Sequence, residues 1–66
     1  MVYINVTING KIDSKELWED VKCYDINVTD LGEVTFVYGE VSMFDSLIII
    51  SICRKYGDII HEVTSI

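Results

Sequence analysis

A chain of 66 residues reads as a single domain, residues 1–66, that buries only about 60% of the surface its unfolded form exposes, so its core is marginal and a partner subunit is a common remedy. Half of its residues are apolar, with isoleucine and valine in excess, and eleven acidic against five basic side chains leave a net charge of −6. That sign argues against gripping nucleic-acid phosphates or an anionic membrane, and favours a basic protein partner or plain solubility.

Val2, Ile4, Val6 and Ile8 alternate with Tyr3, Asn5, Thr7 and Asn9, the period of a strand with one buried face. After Gly10-Lys11, Asp13 reads as a helix N-cap and Glu16 completes a capping box, with Ile12 and Leu17 as the hydrophobic staple. Leu17, Val21 and Tyr24 form the inner face of this first helix. Trp18 falls at its border and Cys23 away from it. Ile26 and Val28 begin a second strand, Asp30-Leu31-Gly32-Glu33 is a turn, and Val34 to Tyr38 a third strand, joined to the second as a hairpin. The sheet face opposite the helices is expected to carry Tyr3, Asn5 and Thr7 beside Thr35 and Val37.

Ser42 and Asp45 repeat the capping pattern and predict a helix from Met43 to about Tyr56, with Gly57 as its C′ residue. Phe44, Leu47, Ile48, Ser51 and Ile52 are assigned to its inner face, which leaves Met43, Ile49 and Ile50 outside. Ile59 to Ile66 reads as a last strand. Its alternation is broken, because His61 shares a face with Ile59 and Val63 while Glu62 shares one with Ile60 and Ile66, and neither face declares itself buried.

The fold class is therefore α+β: a β-α-β-β-α-β order with right-handed crossovers, giving a four-stranded antiparallel sheet with two helices on one face. Over its whole length this order resembles the ferredoxin-like superfold, which small-molecule-sensing domains, RNA-recognition domains, metallochaperones and many dimeric modules share. The resemblance implies a sandwich and no particular function. The loop Asn9-Gly10-Lys11-Ile12-Asp13 lacks the paired cysteines of a metallochaperone, and an RNA-recognition domain would need exposed aromatics on its central strands within a basic surround.

No catalytic, cofactor-binding or metal-binding residue is assigned. His61 is the only histidine, and general acid–base or metal chemistry usually needs a second group in reach. Spacing does not show whether Cys23 or Cys53 approaches it. The two cysteines match no metal or redox motif and read as free thiols, and Cys53 lies far from any helix N-terminus that would activate it. Glu16, Glu19 and Asp20 read as a solvated helix face. Gly10 and Gly39 mark loops outside any phosphate-cradling pattern. The longest apolar run, Leu47 to Ile50, is too short to span a bilayer. With no signal peptide, the Asn5-Val6-Thr7 and Asn27-Val28-Thr29 acceptor patterns carry little weight and the expected location is cytoplasmic.

The functional expectation is a non-enzymatic protein-interaction or regulatory module, acting as a small acidic homodimer. The alternatives are a small-molecule-sensing domain with its ligand at a subunit interface and, behind it, an enzyme with an interface site. The excess of apolar residues on the second helix puts the expected dimer contact at Met43, Ile49 and Ile50.

Overall fold

A computed structural model describes all of Met1–Ile66. In chain order its elements are β1 (Val2–Asn9), α1 (Ser14–Val21) with a trailing 3₁₀ turn over Lys22–Tyr24, β2 (Asn27–Asp30), β3 (Val34–Val41), α2 (Met43–Arg54) and β4 (Ile59–Ser65). The strands form one open antiparallel sheet in the order β2-β3-β1-β4. This α+β architecture is compatible with the ferredoxin-like expectation.

Local chemistry sets the element ends. The Asp13 carboxylate accepts from the Glu16 N–H at 3.1 Å and starts α1; the Ser42 hydroxyl accepts from the Asp45 N–H at 3.0 Å and starts α2. In the hairpin turn the Gly32 N–H donates to the Asp30 carboxylate at 2.7 Å, an Asx turn. Gly39 lies inside β3, which continues to Val41 and does not stop at a loop. Its φ of +150° is open mainly to glycine, and a Cβ there would come within 3.2 Å of the Ile26 side chain. Gly57 does not take a positive φ. It is needed because a Cβ would lie 3.1 Å from the Asn9 carbonyl oxygen, where the chain passes close to β1 before entering β4.

Val2, Ile4, Val6 and Ile8 of β1 join Val37 and Val41 of β3, Leu17 and Val21 of α1, and Ile49, Ile50 and Cys53 of α2 in one core. The helices thus cover one face of the sheet and leave the other open. Two expectations fail against this packing. Val6 pairs with Val37 and Ile8 with Thr35, so Thr35 and Val37 lie buried beneath the helices. The open face carries Phe36 and Tyr38 beside Thr7 and Asn5.

The second failure concerns α2. Its buried residues are Ser46, Ile49, Ile50 and Cys53, while Phe44 and Leu47 are exposed. Both stripes have helical spacing i, i+3, i+4, i+7, so periodicity alone cannot choose between them. The helix lies on a layer already filled by Ile4, Ile8 and Leu17, and the slimmer stripe, with serine and cysteine at its ends, packs there at less cost than one led by phenylalanine and leucine. Ser46 hides its hydroxyl by donating to the Met43 carbonyl at 2.6 Å. Of the three residues expected at the dimer contact only Met43 is exposed; Ile49 and Ile50 are core residues.

Candidate interaction surfaces

β4 is an edge strand, paired on one side with β1 only. Ile59 is half-buried, and every other residue of the strand is exposed. Its broken alternation has a simple cause, since neither face is covered. The ladder phase follows from one bond beside the strand: the Asn9 N–H donates to the Asp58 carbonyl at 2.9 Å, in register with the β1–β4 pairing. Hydrogen-bonded and non-bonded pairs alternate in an antiparallel ladder. Ile60, Glu62 and Thr64 therefore turn their N–H and C=O groups to β1, whereas Ile59, His61, Val63 and Ser65 turn theirs to the open edge.

Helix α2 supplies the adjoining surface. Its flank bearing Asp45 faces α1: just past the helix, the Tyr56 hydroxyl donates to the Asp20 carboxylate, and the Asp45 charge reaches Tyr24. About half a turn away at ~100° per residue, Met43 and Leu47 form the flank toward β4, which α2 also contacts. The result is a group of uncovered apolar side chains on one side of the molecule, with Met43, Phe44 and Leu47 above the sheet plane, Val63 on the helix-side face of the edge, and Ile60 and Ile66 below. Charge is nearly balanced here. Residues 43–66 hold three acids and two bases, against eight acids and three bases in residues 1–42.

The open sheet face is more aromatic than the sequence suggested. Tyr3, Asn5, Thr29, Leu31, Phe36 and Tyr38 line a shallow depression of about 420 Å³, with the Tyr38 and Thr29 hydroxyls 3.1 Å apart. Aromatics thus occupy the central strands, as an RNA-recognition domain requires. Glu40 stands across from Tyr3 and Glu62 across from Asn5, so the surround is acidic and repels phosphate. A second open groove, of about 460 Å³, runs between α1 and the β2 edge, with Trp18, Lys15 and Asp30 in its lining. The Gly32 N–H, then Ser14, hold the Asp30 carboxyl below its ordinary range.

The residues considered for chemistry do not converge. His61 is exposed on β4 and Cys53 is buried in the core. Burial pushes the Cys53 thiol up to about 11, opposite to the activation a nucleophile needs. Cys23 is exposed and free. Two of the three acids of α1 are engaged locally: Glu19 pairs with Lys22 at 2.7 Å, and Asp20 accepts from Tyr56, raising that phenol above its ordinary value. Burial, followed by the charges of Cys23 and Asp45, does the same for Tyr24. No group of three or more His, Cys, Asp or Glu side chains is placed to hold a metal ion. No helix is long and apolar enough to cross a membrane. No known protein family, curated protein or solved structure matches the chain.

Proposed function

We propose that the chain is a non-enzymatic protein-interaction module, built on a ferredoxin-like sandwich, that works as a homodimer through the side shared by α2 and β4. The element order and the strand order β2-β3-β1-β4 support the fold reading. The function reading rests on one observation. Phe44 is 73% exposed, Leu47 60% and Met43 53% on α2, beside a strand edge whose outward backbone groups have no partner in the chain. Scattered exposed apolar residues are ordinary; a contiguous set next to an unpaired edge marks a contact. The near-neutral charge of this side lets two molecules of net charge −6 meet with little repulsion.

Sedimentation equilibrium tests the reading. The wild type should be a dimer at micromolar concentration, and Phe44→Glu with Leu47→Glu should make it a monomer that keeps its far-ultraviolet circular dichroism. A wild type that stays monomeric at high micromolar concentration ends the proposal. A second reading, a small-molecule-sensing domain, is favoured by the depression around Tyr3, Phe36 and Tyr38. Its test is saturable quenching of tyrosine fluorescence by a small aromatic or cationic ligand, abolished by Phe36→Ala.

A further inference from the structure

Resting on that homodimer reading, we propose that the second copy docks by strand addition: β4 pairs antiparallel with β4 of its partner about a two-fold axis through Val63. The joint makes a continuous eight-stranded sheet with the two α2 helices side by side above it. A two-fold axis normal to the sheet is the symmetry that joins two identical edges antiparallel, and it keeps both helix layers on the same side.

The ladder phase restricts the register. Only Ile59, His61, Val63 and Ser65 present outward N–H and C=O groups, so odd-numbered residues must face odd-numbered residues. Three registers meet this condition with most of the strand paired, centred on His61, Glu62 or Val63. Centring on Glu62 sets two carboxylates directly across from each other, which is repulsive. Centring on His61 stacks two imidazoles and places Ile60 against Glu62. Centring on Val63 pairs Val63 with itself, His61 with Ser65, Glu62 with Thr64 and Ile60 with Ile66. Ile60, Val63 and Ile66 then each meet an apolar residue, and no like charges face each other. The Val63 pair lies on the helix side, beneath the Leu47 and Met43 flanks, and the Ile60–Ile66 pairs cover the other face.

The area is adequate. The exposed parts of Met43, Phe44, Leu47, Ile60, Val63 and Ile66 amount to at most about 700 Å² per protomer, near the ~800 Å² per partner of standard interfaces. The strand has little of the usual protection against such pairing, Glu62 being its one acidic side chain. It has no proline, lysine or bulge, and no helix or loop lies along its outer edge.

Cysteine cross-linking reads the register, in a Cys23→Ser background where the buried Cys53 is the one native thiol left. Val63→Cys, His61→Cys and Glu62→Cys are each oxidised with diamide at a concentration where sedimentation shows the dimer. The Val63→Cys sulfurs belong to a hydrogen-bonded pair with Cα atoms ~5.5 Å apart, within disulfide range. His61 is offset from its symmetry mate by four residues, ~13 Å. The expected result is near-complete disulfide-linked dimer for Val63→Cys and less than a tenth as much for His61→Cys and Glu62→Cys. A dimer that cross-links instead through His61→Cys or Glu62→Cys, or through none of the three, overturns this pairing and leaves the homodimer reading standing. A monomeric wild type overturns both and leaves the edge to a strand from another protein.

Discussion

The orientation of α2 can be tested by comparing alanine substitutions at two positions of one turn that face opposite ways. Ile49 is fully buried in the core and Leu47 is 60% exposed. Removing most of a buried isoleucine costs roughly 2–5 kcal/mol, the transfer term plus the cavity it leaves. Marginal stability of about 0.05–0.15 kcal/mol per residue gives a domain of this length roughly 3–10 kcal/mol in all. Ile49→Ala should therefore remove about half of the total at the middle of both ranges and lower the urea midpoint in proportion. Leu47→Ala should stay within about 0.5 kcal/mol of wild type in the monomer. Urea unfolding followed by Trp18 fluorescence and circular dichroism measures both, with an unchanged slope against urea certifying that the unfolded states are comparable. The comparison belongs at protein concentrations below dimerisation, because Leu47→Ala is expected to lose stability only where mass action populates the dimer. If Leu47→Ala costs as much as Ile49→Ala in dilute solution, the helix presents its bulky stripe to the sheet and the packing derived above is wrong.

Cys23 should react with a thiol reagent within seconds under native conditions, and Cys53 only at the rate of unfolding; equal native rates would contradict the burial of Cys53. Burial raises the Cys53 thiol from 9.0 to about 11, so its contribution to stability is complete below pH 9 and is lost as pH rises toward 11. The loss is of order 2 kcal/mol, and Cys53→Ala should show a correspondingly shallower alkaline decline in urea midpoint. The Thr35 hydroxyl is buried without a partner, so Thr35→Val should stabilise the fold by about 1 kcal/mol, and a destabilised variant would reveal a hydrogen bond to that hydroxyl. Gly39→Ala should cost more than about 1 kcal/mol through its backbone conformation and its approach to Ile26, and an unchanged melting temperature would count against both causes. Random single-stranded RNA should show no micromolar binding at physiological salt despite the aromatic open face, because Glu40 and Glu62 stand among its residues.

What the sequence disclosed depended on whether a physical signal had one solution. The caps at Asp13 and Ser42 did, because a side-chain oxygen before a helix has one N–H within easy reach, and both bonds are present. The alternation of β1 did, since polar residues at every second position leave one face to bury. β3 carries apolar side chains on both faces, so its parity was ambiguous, and the choice that put Val37 outward was reversed by the register with Val6. α2 failed for the same reason in helical form. Apolar residues run almost all the way round it, and the stripe that packs is decided by volume against the sheet, which periodicity does not report. The three-aromatic open face was missed with the parity of β3; the run of alternating Val34, Phe36 and Tyr38 was the signal that could have found it.

The irregular pattern of β4 carries different information. A strand that is central to its own domain must have at least one apolar face, and β4 has none: His61 and Ser65 interrupt one side, Glu62 and Thr64 the other. The helices bury a continuous core against β1 and β3, and of β4 only Ile59 packs against it. Folding of the monomer therefore places little constraint on residues 60–66 beyond the ladder with β1. Solvation alone would favour lysine, glutamate or proline along such an edge. Glu62 meets that description, but Ile60, Val63 and Ile66 stand there with it, at positions three residues apart that a strand sends to alternating faces. That spacing has no use for a strand covered on one side, and it matches an edge approached in its own plane, where contact on both faces begins only when another strand lies alongside.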